Sequence, residues 1–137
     1  MIQQGISLSA KNAFLLGIHQ PGDTYKIALY SSRASIGPKT NEYSSDGEIV
    51  GPGYVKGGFT LAGFRSGMAG KNGFVTFDDL RIDRATFSAQ GAMIYNASKN
   101  NAALCILNFG GERSVFDGTF ELSFPNPTEK LALILLA

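Results

Sequence analysis

The amino-acid sequence predicts one mostly β domain over residues 1–137, an antiparallel β-sandwich or barrel with a short N-terminal helix. The length of 137 residues is typical of a single domain. Glycine accounts for 17 residues, phenylalanine for 10 and tyrosine for 5, a composition that favours strands and tight turns over helices. Short apolar runs, separated by turn residues at regular spacing, are typical of antiparallel sandwiches and barrels.

The N-terminal segment has the pattern of a short helix. Ser9 is a favourable N-cap for a helix over 10–16, and Gly17 is suited to end it in the left-handed conformation. The apolar face that we expect to pack against the rest of the protein consists of Leu8, Leu15 and Ile18.

Strands are predicted from alternation and from turn residues. In YKIALY (25–30), Tyr25, Ile27 and Leu29 are expected on one face and the intervening residues on the other. The apolar runs 91–98 and 102–109, joined by the polar loop 99–101, predict a hairpin. Further strands are predicted at 74–77, 84–88, 119–124 and 131–136, and two weak ones at 48–50 and 58–64. Gly110-Gly111 and Asp117-Gly118 are expected to be turn residues before the strand 119–124.

Charge and targeting signals exclude several classes of function. Twelve basic and 11 acidic residues give a net charge of +1, so no strong field would attract nucleic acid or an anionic membrane surface. The N-terminus lacks the features of a signal peptide, and the apolar run 131–137 is too short to span a bilayer. The single cysteine, Cys105, lies in an apolar run, so we expect a buried, inert thiol in a protein made in a reducing cytoplasm.

Catalytic, metal-binding and cofactor-binding patterns are not predicted. His19 is the only histidine, and its position just after the helix stop indicates a structural role at the helix C-terminus. The glycine-rich stretches 51–58 and 67–72 lack the spacing of phosphate- or dinucleotide-binding loops. Asp78, Asp79 and Asp83 alternate with arginines, which indicates a salt-bridged surface.

The rival hypothesis is an enzyme such as a glycan hydrolase, which would need two acids that face one cleft. The acids worth testing for a glycan hydrolase are Glu42, Glu48, Asp78 and Asp79. We therefore predict a protein that is not an enzyme and takes no cofactor. Its low charge is suited to an assembly in which neighbours cover strand edges, so we expect a homo-oligomer. The turn-rich region 31–73 is a candidate to lie over a partner.

A series of motifs resembles a family of small structural proteins of tailed-bacteriophage virions. The motifs are FLLGIH (14–19), DTYKIALY (23–30), NEYSSDGEIVGPGYVKGG (41–58), AQGAMIYNASKNNAALCILNFG (89–110) and GTFELSFP (118–125). The similarity covers nearly the whole chain and departs from the family pattern at 64–73 and 78–87.

The resemblance implies a virion component that is made in the bacterial host. Within it we expect a cement or decoration protein, with a jelly-roll-like sandwich on the outer surface of the capsid and the major capsid protein as its partner. No direct contact with nucleic acid or membrane is expected. The alternative is a tail, head–tail adaptor or fibre-associated protein, including a receptor- or glycan-binding module.

Overall fold

The computed structural model describes residues 1–69, 72–124 and 134–136, and these form two antiparallel sheets and one short helix. The elements are β1 (Gly5–Ile6), α1 (Leu8–Leu15), β2 (Tyr25–Tyr30), β3 (Phe59–Thr60), β4 (Arg65–Ala69), β5 (Asn72–Thr76), β6 (Leu80–Asn96), β7 (Ala102–Leu122) and β8 (Ile134–Leu136). One sheet has the order β1-β7-β6-β2-β3 and the other β4-β5-β8. The all-β class with a short N-terminal helix is confirmed, whereas this strand order does not confirm a jelly-roll sandwich.

Strand β2 is the predicted strand, residue for residue, and lies inside the larger sheet. Its alternating side chains enter two separate apolar clusters. Tyr25, Ile27 and Leu29 join one cluster, and Ala28 and Tyr30 join the other. Both faces of the sheet are therefore covered at β2, which explains why this strand is apolar on both sides.

The predicted hairpin is confirmed but is much longer than the sequence indicated. Strand β6 turns through 97–101 into β7, where Asn100 and Asn101 adopt φ values of 55° and 56°. The two predicted strands 84–88 and 91–98 lie within or mostly within β6, while β7 spans 102–109 and most of 119–124. Gly110 and Asp117, which looked like turn residues, instead bend β7 with φ values of 77° and 44°.

The segment 31–58 has no strand of its own and packs in part on the chain's own sheet, while Val50 and Val55 stay exposed. That it lies over a partner stays a prediction. Ala34 and Ile36 are buried in the second apolar cluster. At its end, Gly58 has φ +86°, and a Cβ there would lie 1.9 Å from the carbonyl oxygen of Ile27. Only glycine can make this approach. Of the two weak strands predicted near this segment, 48–50 supplies a single bridge to Tyr30 and 58–64 supplies β3.

Helix α1 begins earlier than predicted and ends as predicted. Ser7, rather than Ser9, is at the N-cap position, and its hydroxyl donates to the carbonyl oxygen of Thr40 at 2.7 Å. At the other end Gly17 has φ +71°, and the amides of Gly17 and Ile18 donate to the carbonyls of Phe14 and Ala13. These two backbone hydrogen bonds together form a Schellman motif.

The buried face of α1 is not the predicted one. Leu8 is 53% exposed and Ile18 is 38% exposed, whereas Ala10 and Ala13 are buried. The prediction was wrong because small alanine side chains, and not the large apolar ones, bring the helix backbone close to the sheet. The side chain of Leu15 lies outside the described part of the structure.

The smaller sheet was only partly predicted. Strand β5 overlaps the predicted strand 74–77, and β8 lies within the predicted strand 131–136, of which 131–133 is outside the described residues. Strand β4 was not predicted, because RSGMA (65–69) has neither strong alternation nor β-branched residues. Val75 of β5 packs in the same cluster as Tyr25 and Ile94, so both sheets contribute to one core. The described part of the chain contains no helix long and apolar enough to cross a membrane.

Candidate functional site

His19 belongs to a side-chain network at the turn end of the β6–β7 hairpin. The Asn96 amide nitrogen donates to the Asp23 carboxylate at 2.8 Å and lies 3.0 Å from His19 Nδ1. The Asn96 amide oxygen accepts from the backbone N–H of Ser98 at 3.0 Å, which fixes the orientation of the amide. Because that nitrogen is a donor only, His19 Nδ1 is the acceptor and Nε2 carries the ring proton.

Asp23 is the charged member of this network. The Lys99 ammonium lies 2.9 Å and 2.8 Å from its two carboxylate oxygens. Hydrogen bonds from Lys99 and then Asn96 lower the pKa of Asp23 to about 2. The carboxylate is therefore ionised over the physiological range and holds Lys99 as an ion pair.

His19 does not have the predicted role at a helix carbonyl, because its Nδ1 bonds to Asn96. The ring is 7% exposed, and burial lowers its pKa below the usual 6.5. Its Nε2 is buried and has no hydrogen-bond partner among the described residues. The nearby Ser9 hydroxyl bonds to the Ser7 hydroxyl at 2.8 Å. The arrangement therefore holds a neutral imidazole in place and does not pair it with a nucleophile.

A cavity of about 600 Å³ lies beside His19. Its walls come from α1, from the residues around 41–42 and from the turn of the hairpin. The lining residues are Ser9, Ala10, Asn12, Ala13, Ile18, His19, Asn41, Glu42, Lys99, Asn100, Ala102 and Ala103. The cavity was not predicted, because its lining residues are distant in sequence. The helix, His19, Glu42 and the polar loop 99–101 were each identified, but nothing in the sequence showed that they share a cavity.

The four acids considered for hydrolysis do not converge on this cavity. Glu42 is the only one that lines it. Asp78 and Asp79 precede β6, at the opposite end of that strand from the turn, where Asp78 pairs with Arg65 and Asp79 accepts from the amide of Phe124. The predicted salt-bridged surface is confirmed for Asp83, which pairs with Arg81 at 3.1 Å. No metal-binding group of acids, histidine or cysteine occurs within 1–69, 72–124 and 134–136.

Glu48 is held in a cluster of tyrosines that sequence reasoning missed. Tyr43 donates to one carboxylate oxygen at 2.6 Å, and Tyr54 and the amide of Gly57 donate to the other. Burial, followed by the hydrogen bond to Glu48, raises the pKa of both tyrosine hydroxyls. The cluster fixes the segment 31–58 on the sheet. Its residues lie in the motif 41–58, so the resemblance had marked the segment without showing its contacts.

The outer half of the β6–β7 hairpin forms a two-stranded ribbon, defined here as 80–90 with 108–122. Strand β2 pairs only with 91–96 of β6, and β1 pairs only with Cys105 and Ile106 of β7. Within the described residues, no strand therefore covers the free edge of β7 along this ribbon. The pairing of β6 with β7 along this ribbon is interrupted by a bulge in β7. Ala89 pairs with Arg113 and Gly91 with Asn108, so β7 has extra residues between these two pairs.

A groove of about 520 Å³ follows the ribbon. Phe109 and Phe120 contact each other in it with ring centroids 6.4 Å apart. Charged side chains, Glu112, Arg113 and Glu121, stand beside these rings. Nearby on β7, Phe116 is 87% exposed. The ribbon thus joins exposed aromatic surface to mixed charges.

The remaining predicted features are structural. Cys105 is buried, and burial raises the pKa of its thiol to about 12, so the prediction of an inert thiol is confirmed. Phe59, Phe64, Phe74, Phe77 and Phe87 are the aromatic residues that could have formed a stacking platform for single-stranded nucleic acid. Of these, Phe59, Phe64, Phe77 and Phe87 pack in or against the core. The side chain of Phe74 lies outside the described residues.

No protein-family model matches the chain, and no curated protein or solved structure shows significant similarity to it. Function is therefore inferred from the chain's own geometry and from its motif series.

Proposed function

We propose that this chain is a non-enzymatic structural protein of a bacteriophage virion, a capsid cement or decoration protein. It would bind subunits of the major capsid protein non-covalently at the outer surface of the head. The motif series supports the phage family. The single structural observation that supports a binding role is the ribbon, with its groove and the exposed ring of Phe116.

The ribbon has the composition of an interface. Protein interfaces combine an apolar centre, often aromatic, with a polar rim. In the ribbon, the partly buried Phe109 supplies apolar surface in the groove beside the buried Phe120, while Glu112, Arg113 and Glu121 supply the charges. Burial of a phenylalanine side chain such as that of Phe116 contributes roughly 1.5–3 kcal/mol. A modest energy per copy becomes large when many copies on one shell act together.

Side-chain contacts, more than strand addition, would carry this binding. The free edge of β7 is broken where Gly110 bends the strand and again where Asp117 has φ 44°. Bulges of this kind disfavour edge-to-edge pairing with a foreign strand. A capsid subunit would therefore seat against the ribbon surface and the Phe116 ring.

The test uses phage heads that lack this protein. We expect such heads to form but to lose DNA sooner on heating, and purified protein to co-sediment with them and restore their stability. Phe116→Ala should weaken co-sedimentation about tenfold, since it removes exposed aromatic surface and leaves the core unchanged. Leu16→Ala, which removes an exposed apolar side chain at the end of α1, is the matched control and should bind as the unaltered chain does.

Two outcomes would contradict the proposal. Depleted heads that survive heating as well as complete heads would exclude a cement role. Co-sedimentation with separated tails, and not with heads, would favour a tail, adaptor or fibre-associated protein.

A further inference from the structure

We propose that the cavity beside His19 binds a neutral, hydroxyl-rich ligand of about the size of one or two sugar rings. Its volume of about 600 Å³ lies within the range of small-molecule sites, which is roughly 300–1,000 Å³. The cavity shares no lining residue with the groove of the ribbon. This inference therefore does not depend on the capsid role.

The space exists because small side chains line it. Ala10 and Ala13 of α1 and Ala103 of β7 are all buried at its floor. At each of these positions a leucine or isoleucine would project additional methyl groups where the helix meets the sheet. The helix is held there by the backbone bond from Ser7 to the carbonyl of Leu104 at 2.8 Å, so the floor is part of the rigid fold.

The walls present carboxamides from three separate elements. Asn12 is on α1, Asn41 precedes the bridge between Glu42 and Ala102, and Asn100 is in the hairpin turn. Each carboxamide has both donors and an acceptor, as does each hydroxyl of a sugar. None of the hydrogen bonds found among the described residues uses these three side-chain amides, which leaves them available to a ligand.

The charges in the walls disfavour an anion. Lys99 is the cation of the cavity, and its ammonium is already bonded to both carboxylate oxygens of Asp23. Glu42 adds a negative charge at the wall. A phosphate or carboxylate ligand would therefore meet no uncompensated positive charge, whereas hydroxyl groups could donate to Glu42 and to the amide oxygens.

His19 supplies an independent observation. It lines the cavity, is 93% buried, and has its Nδ1 fixed as an acceptor by Asn96, so its Nε2–H is a donor with no partner among the described residues. A buried donor without an acceptor is unfavourable. An acceptor oxygen of a bound ligand, reached through local adjustment of the wall, would satisfy it.

The experiment is an NMR titration of the full chain with methyl glycosides of glucose, galactose and N-acetylglucosamine. Concentrations up to about 50 mM would nearly saturate a site with a millimolar dissociation constant. We expect at least one glycoside to shift the signals of Asn12, Asn41 and His19 together, with saturation. Inorganic phosphate at the same concentration should leave these signals unchanged.

Variants connect the shifts to the cavity. Asn12→Ala should weaken the binding of the responsive glycoside at least fivefold, and Ala13→Leu should abolish it by filling the floor. Lys11→Ala, the neighbouring exposed position on α1 outside the cavity, should bind as the unaltered chain does. If Ala13→Leu fails to fold, the comparison of glycoside binding by Asn12→Ala and Lys11→Ala is sufficient to test the inference.

Three results would overturn the inference. These are no saturable shift with any of the three glycosides, shifts that appear with phosphate but not with a glycoside, and equal binding by Asn12→Ala and Lys11→Ala. Each can occur whether or not the protein binds phage heads, so failure here is distinguishable from failure of the capsid proposal.

Discussion

The two halves of the β6–β7 hairpin differ in what surrounds them. The inner half, 91–107, pairs with β2 on one side and in part with β1 on the other, and its side chains enter both apolar clusters. The outer half is the ribbon, which buries residues such as Phe87 and Phe120 on one face and exposes charged residues on the other. One pair of strands thus forms the centre of the fold and then a layer that is buried on one face, in the same cluster as Tyr25 and Ile94, and exposed on the other. The inner half stabilises the fold, and the exposed face of the outer half is available for binding.

The largest expected difference between the well-packed and the exposed parts concerns glycine. Gly58 lies just before β3 and against β2, with φ +86°. Gly58→Ala would place a Cβ 1.9 Å from the Ile27 oxygen, so we expect a loss of at least about 4 kcal/mol in the free energy of unfolding. Gly110→Ala in the ribbon has φ +77° but no atom within 4 Å of the new Cβ. It should cost only the left-handed backbone penalty of about 1–2 kcal/mol.

Urea unfolding of the two variants measures this difference directly. Equal losses would show that contact with the sheet adds nothing to the backbone penalty, and would contradict the close approach at Gly58.

A smaller difference is expected for side chains in the two halves. Ile94 of the inner half is fully buried, so Ile94→Ala should lower the free energy of unfolding by about 2–4 kcal/mol through lost burial and the cavity it leaves. Val115 in the ribbon is half-buried and pairs with Phe87 across the strands. Val115→Ala should cost about 1 kcal/mol or less.

The measurement is chemical denaturation of both variants, with the denaturant dependence checked to be unchanged. If Val115→Ala were as destabilising as Ile94→Ala, the ribbon at Val115 would be packed as tightly as the inner half, and its description as a surface available for binding would fail.

The same contrast explains how much the sequence could predict. Strand β2 and the turn at 99–101 were predicted correctly, because alternation and turn chemistry are local signals. Glycine and aspartate at 110 and 117 were misread as turn residues, since a bulge and a turn both use left-handed backbone. A bulge differs from a turn in whether the chain continues to pair with the same neighbouring strand, and the sequence of one strand does not show this.

The cavity and the tyrosine cluster were missed for a different reason. Both depend on contacts between distant segments, such as the ring of Tyr43 stacked on Tyr95 of β6, or Asn12 with Asn41 around a shared space. The alanines that create the cavity were visible in the sequence, but small residues in a predicted helix carry no signal for a cavity.

A dependence of stability on pH is also expected, from the network at the inner end of the hairpin. Burial lowers the pKa of His19 below 6.5, so well above pH 6.5 the ring is neutral in both the folded and the unfolded chain. As pH falls below 6.5, the unfolded chain binds a proton that the folded chain resists, and stability declines. His19 is the only histidine, so an NMR titration of its ring reports this pKa alone; a midpoint at or above 6.5 would contradict the burial.

Asp23 adds a second, more acidic phase. Its pKa is lowered from 3.8 to about 2, so its contribution is fully present above pH 3.8 and is lost as pH falls from there towards 2. The loss should be about 1–2 kcal/mol, and Asp23→Asn should remove this phase, whereas Asp46→Asn at an exposed position should retain it. Asp23→Asn also removes the negative charge that favours the protonated ring, so it should lower the His19 midpoint further. A shift of that midpoint upwards would show that Asp23 is not coupled to His19 through the geometry at Asn96.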